Sequence, residues 1–119
     1  MTPLRQMHCT PVRKENRPLV EAEIREFARE VPEWKVVERD GQKRLEREFR
    51  FRNFSAALSF TLQVGELAEA EDHHPALLTE WGRVTAGWWT HRIGGLHRND
   101  FIMAAKTDEV FAAVGPREI

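Results

Sequence analysis

The chain has 119 residues, 41% hydrophobic and 31% charged, with a formal net charge of −1. That length suits one domain with one modest core, and the near-even charge leaves no field to draw nucleic acid or an anionic membrane. No apolar run approaches the roughly 20 residues of a membrane span, residues 1–18 lack the apolar core of a signal peptide, and the single Cys9 has no internal disulfide partner, which suits a reducing compartment, so a cytoplasmic protein with no nucleic-acid or membrane partner is expected.

Residues 1–18 show no period and carry Pro3, Pro11 and Pro18, so they read as a flexible N-terminal arm, with 19–119 as the domain proper. His8-Cys9 within the arm reads as an ordinary pair, because no second Cys/His cluster lies at zinc-like spacing. Val20, Ile24, Phe27, Ala28 and Val31 recur at helical spacing up to Pro32. A strand is predicted over 34–39, a tight turn at Asp40-Gly41, and a second strand over 42–51. In that second strand Leu45, Phe49 and Phe51 share one face, and Arg44, Glu46, Glu48 and Arg50 share the other. The charged face mixes signs, so it reads as a solvated surface. Asn53 is a good N-cap for a helix from about Phe54 to Glu71. Its apolar stripe of Ala57, Phe60, Val64, Leu67 and Ala68, widened by Leu58 and Leu62, reads as core, and Gly65 suggests close packing. A third strand is predicted from about Glu80 to His91, with Val84, Ala86, Trp88 and Thr90 on one face. Gly94-Gly95 is a turn. A last helix, with Asn99 and Asp100 near its start, runs to about Val114 and ends at Gly115-Pro116. This order predicts an α+β fold, an antiparallel β-sheet with helices packed on one face.

The chemistry concentrates in Glu69-Ala70-Glu71-Asp72-His73-His74-Pro75, followed by Trp81, Thr90-His91 and Asp100. Histidine exchanges protons near neutral pH, and neighbouring carboxylates orient its ring. Pro75 turns His74 away from helical geometry, so the pair sits where a helix opens into a loop. From residue types alone three readings stand: structural histidines, acid–base catalysis, or a metal site completed by Glu69, Glu71 and Asp72. Adjacent histidines seldom ligate one ion, and no nearby cysteine completes a set. No nucleophile motif, phosphate loop or dinucleotide fingerprint is present.

Glu69, three residues, His73-His74-Pro75, then Trp81, His91 and Asp100 resembles the signature of the pterin-4a-carbinolamine dehydratases. The likeness extends through Asn99-Asp100-Phe101-Ile102-Met103-Ala104-Ala105 and upstream to Pro32-Glu33-Trp34, covering about residues 20–114. The whole chain, arm included, looks like the bacterial branch that accompanies phenylalanine hydroxylase. The resemblance implies dehydration of a 4a-hydroxytetrahydropterin to the quinonoid dihydropterin, with no metal or redox cofactor. It implies that His73, His74 and His91 carry the catalysis, His73 at the leaving hydroxyl and His74 or His91 at N5. Glu69, Asp72, Pro75, Thr90 and Asp100 become binding or orienting candidates, and for Asp100 a plain first-turn role in the last helix stands equally. The chain departs from the animal pattern with Leu77 in place of a loop tryptophan and Trp89 in place of a small polar residue. That moves an aromatic wall for the pterin to Trp89, or else places Trp89 in a subunit contact. The resemblance also implies a homodimer or homotetramer, and an open sheet edge invites such pairing. The competing readings are a regulatory or dimerisation partner, as animal members are for a homeodomain transcription factor, and a molybdopterin-related binding protein.

Overall fold

The computed structural model describes residues 2–118, with side chains through residue 114. After a short 3-10 turn at Leu4–Gln6 come helix α1 (Glu21–Ala28), strands β1 (Lys35–Arg39) and β2 (Gln42–Arg50), and helix α2 (Phe54–Glu71). Strands β3 (Ala76–Glu80) and β4 (Arg83–Trp88) follow, then a 3-10 turn at His91–Ile93 and helix α3 (Arg98–Glu118). The four strands form one antiparallel sheet in the order β1-β2-β4-β3. It is the α+β architecture that the alternation of apolar and charged residues predicts.

One expectation is corrected. The single strand predicted from Glu80 to His91 is the second half of a hairpin, β3–β4, whose strands close on Glu80 opposite Arg83. The two-residue connection is Trp81-Gly82. Gly82 takes φ +72°, and a Cβ there would meet the Phe51 carbonyl at 3.0 Å. The same glycine's carbonyl accepts the Phe51 N–H at 2.9 Å, locking the turn against the end of β2. A tryptophan before the glycine masks this turn, whereas Asp40-Gly41, both at positive φ, declares the first one.

The sheet has two unlike faces. Leu45 and Phe49 of β2 lie opposite Trp88 and Val84 of β4, and all four are buried with Ala86. Helices α2 and α3 cover this face, and α1 packs on α3. The core between the layers is aromatic: Phe60 lies 4.8 Å from Phe49 and 5.1 Å from Phe51, and Phe111 lies 5.0 Å from Phe49. Asp108 of α3 accepts Trp34 Nε1 at 2.8 Å and Arg47 Nη1 at 2.6 Å, tying the sheet to the helix; burial pushes its carboxyl up despite both donors.

Asn53 caps α2 as predicted, its side chain accepting the Ala56 N–H at 2.9 Å; such a cap contributes about 1 kcal/mol. Ala56, Ala57, Phe60, Val64 and Ala68 face the core. Leu58 and Leu62 do not widen that stripe but lie exposed with Phe54 on the other side of the helix. Close packing is not the reason for Gly65, where a Cβ would meet nothing within 4 Å. Helix α3 continues past Gly115-Pro116 rather than stopping there; a proline near a helix end forfeits one N–H bond while the remaining backbone groups still pair.

Candidate active site

The site forms where three element ends meet: the C-terminus of α2, the C-terminus of β4 and the N-terminus of α3. Helix α2 ends on Asp72 in the left-handed conformation, φ 53°, ψ 43°. The His73 N–H still bonds the Ala68 carbonyl at 3.2 Å, and the chain then leaves the helix with Pro75 holding it extended into β3.

His73 turns inward. Its Nε2 lies 2.7 Å from Asp100 Oδ1, and its ring stacks on Trp88 at 5.9 Å and 9°. Asp100 is fully buried, and its second oxygen accepts Thr90 Oγ1 at 2.7 Å and the His97 N–H at 2.9 Å. With two donors already on its other oxygen, Asp100 suits a His73 tautomer that donates from Nε2. Nδ1 of His73 is then the nitrogen left for chemistry. Trp88, behind the ring, is anchored by Nε1 donating to Thr107 Oγ1 at 3.2 Å. Asp100 therefore contacts both the first turn of α3, through the His97 N–H, and the His73 ring.

His74 turns outward, its Nε2 lying 2.5 Å from Glu69 Oε2 one helical turn back, with both side chains more than half exposed. His91 opens the 3-10 turn after β4 and is exposed. The three histidines nevertheless line one cavity of about 440 Å³, together with Asp72, Trp89 and Thr90. The Arg44 guanidinium lies over the Trp89 ring, 3.7 Å from its centroid, and is not part of the cavity lining. Glu69 and Pro75 do not line the cavity, and Asp100 stands behind His73. Trp81 sits 73% exposed in the β3–β4 turn, away from it.

Residues the sequence did not point to complete the wall. Asn99, Arg92 and the arm segment Thr10–Val12 also line the cavity. Their approach rests on contacts between residues some 80 to 90 positions apart, which no local pattern announces. Among the described residues no group of three His, Cys, Asp or Glu side chains converges as a metal site. His97 accepts the Asn99 N–H on Nδ1 at 3.0 Å, and burial above all holds its pKa below the ordinary 6.5.

The arrangement offers an imidazole with a fixed tautomer, two further imidazoles and an aromatic wall around a space the size of a small heterocycle. The sequence profile of the family described as "Pterin 4 alpha carbinolamine dehydratase" matches residues 17–110. A "Putative pterin-4-alpha-carbinolamine dehydratase 1" from Gloeobacter violaceus is 56% identical over 112 residues, 94% of this chain and 97% of its own, so that match reaches into the arm. A similarly named protein from Chlorobium limicola is 57% identical over 90% of this chain and 95% of its own. A crystal structure of a "transcriptional coactivator/pterin dehydratase" from Brucella melitensis superposes with a TM-score of 0.71 at 36% identity, covering 80% of this chain and 98% of that one. On the profile, the identities and the shared fold, this chain belongs to the pterin 4-alpha-carbinolamine dehydratase family.

Proposed function

We propose that the protein dehydrates a 4a-hydroxytetrahydropterin to the quinonoid dihydropterin by histidine acid–base catalysis. The observation that carries this reading is the buried Asp100–His73 pair at a cavity also lined by His74 and His91. The elimination breaks the C4a–O bond and removes the proton on N5. The N–H electron pair becomes the C4a=N5 double bond, and the hydroxyl leaves as water once it has received a proton. Such a step needs an acid and a base on opposite sides of one C–N bond. His73, its Nε2 proton held by Asp100, works through Nδ1 at the leaving hydroxyl. His91 or His74 takes the N5 proton. Trp89, backed by Arg44, gives the flat ring a stacking face.

On this reading the protein works in pterin recycling for an aromatic amino acid hydroxylase, as a cytoplasmic enzyme. The natural assembly is a homodimer or homotetramer, supported by the exposed Phe54, Leu58 and Leu62 along α2 and by the open edges of β1 and β3. A single species of monomer mass in sedimentation at micromolar concentration would count against this assembly. The deciding experiment follows the decay of freshly made 4a-hydroxytetrahydropterin with and without the protein. Acceleration that scales with protein concentration supports the reading, and decay at the unaided rate sinks it.

A further inference from the structure

Residues 1–16 of the N-terminal arm lie outside the span that the family profile matches, yet the arm is fastened to the site at four levels. Leu4 is buried in the core, and its N–H donates to Glu30 Oε1 at 2.9 Å. Glu71, at the last turn of α2, accepts the Cys9 N–H at 2.8 Å and lies 2.7 Å from His8 Nδ1. Asn99, 1% exposed, then holds Thr10 by both backbone groups: Oδ1 accepts its N–H at 3.0 Å, and Nδ2 donates to its carbonyl at 2.7 Å. Arg92 Nη1 donates to the Val12 carbonyl at 3.0 Å. A side-chain amide that pairs with both groups of one residue acts as a one-residue strand partner and fixes the backbone in place and orientation.

Between these fastenings the arm passes along the cavity, where Thr10, Pro11 and Val12 line one wall. The Pro11 carbonyl and the Val12 N–H have no hydrogen-bond partner among the described residues. A pterin's pyrimidine edge carries alternating donors and acceptors, which such free backbone groups can match.

We propose that Thr10–Val12 is a substrate-binding wall for the pterin ring and that Asn99 is the positioning residue that sets it. This rests on the dehydratase reading above and goes beyond it by assigning ring recognition to the arm. The wall binds the parts of the ring that do not change in the reaction, so its loss weakens binding and leaves the chemical step in place.

The test uses the full chain as wild type, Asn99→Ala and Thr10→Pro. The proline removes the N–H that Asn99 accepts and, because Thr10 is exposed, leaves the fold intact even where Asn99→Ala does not fold. Amide exchange at Cys9, whose N–H bonds Glu71 in every variant, and at Thr10 where its N–H is retained, reports arm release. Steady-state turnover, and fluorescence titration with 7,8-dihydrobiopterin, which lacks the 4a-hydroxyl, report binding. Both variants are expected to lose arm protection and to raise KM and the dihydrobiopterin Kd about 10-fold, with kcat within about 3-fold of wild type. A released arm with KM and Kd unchanged overturns the wall, and an arm that stays protected in Thr10→Pro overturns the clamp. Wild type without turnover is a separate result: it removes the dehydratase reading, and this proposal with it.

Discussion

Two histidine–carboxylate pairs stand side by side at the end of α2, and they differ in almost everything except chemistry. His73–Asp100 is closed off: the histidine side chain is 11% exposed, the aspartate 0%, and a hydroxyl and an amide occupy the second carboxylate oxygen. His74–Glu69 is open, with 55% and 77% of the side chains exposed and no further partner for the Glu69 carboxylate among the described residues. Each pair is held at about hydrogen-bond length. In water an ion pair competes with solvent and counts for little; in a closed site the same contact fixes a tautomer and a ring plane. Burial of the partner, not proximity of a carboxylate, separates a catalytic orientation from a surface contact.

The largest expected effects break the inner pair. His73→Ala should lower kcat by about 10²- to 10⁴-fold, the usual span of a general acid or base. Asp100→Asn should act in the same range, because an amide cannot accept from Nε2–H while it also serves Thr90 and His97 N. The double variant should be no worse than His73→Ala alone, since the two act as one unit. Independent, multiplying losses would show that Asp100 does something other than orient His73. His91→Ala should also cut kcat, whereas His74→Ala should act mainly on KM. These rates must be measured above the unaided decay of the substrate.

Trp89→Ala comes next, with KM raised about 10-fold, the scale of one ring–ring stack. Arg44→Ala should reproduce part of that rise while leaving kcat alone, because Arg44 packs on the Trp89 ring without lining the cavity. Identical KM values in wild type and Trp89→Ala would remove the stacking wall and return Trp89 to a packing role.

A pH profile sharpens the contrast by a smaller margin. Burial alone would raise the Glu71 carboxyl, but the Cys9 N–H, His8 and Lys106 outweigh it and hold the group below 4.5. A carboxylate depressed in the folded state stabilises fully above its unfolded pKa, and the contribution is lost as pH falls through the folded value. Arm protection in amide exchange should therefore decline only below pH 4.5. His97 adds a shallower step. Its folded pKa lies below 6.5, so the unfolded chain binds the proton first, and stability should decrease as pH falls from 6.5 toward the folded value. A melting temperature that rises over that interval on acidification would contradict the sign.

The smallest effect belongs to the carboxylate of the outer pair. Glu69→Gln should change kcat and KM by less than about 2-fold, as befits an exposed contact. A loss comparable with Asp100→Asn would collapse the distinction between the two pairs.

Much of this could be read before any coordinates. The alternation over 42–51 and 84–88 set the faces of the sheet, Asn53 announced the start of α2, and Asp40-Gly41 announced the first turn. The histidines and Asp100 stood out by type and spacing, and the fold does bring His73, His74, His91, Asp72, Trp89 and Thr90 to one cavity. Trp81-Gly82 stayed hidden because a large aromatic is an unusual turn residue. The inward and outward turns of His73 and His74 also stayed hidden, since they depend on Asp72 adopting a left-handed backbone without being glycine. The arm was unreadable for a different reason. Its docking depends on single side chains, Glu30, Glu71, Asn99 and Arg92, each far away in sequence, and a chain of isolated contacts produces no period.

The docked arm carries the chain's one thiol. Burial, with the negative charges of Glu71 and Asp100, pushes Cys9 from 9.0 up to about 12. Only the thiolate attacks an alkylating reagent, so a docked Cys9 should react on the order of 10³-fold more slowly than a free one at pH 8. Labelling faster than that residual rate would sample moments when the arm is off, and the ratio of observed to free-thiol rates would set an upper bound on the fraction of time it is open. The native chain thus holds its own chemical clock for arm motion, usable without dye, tag or substitution.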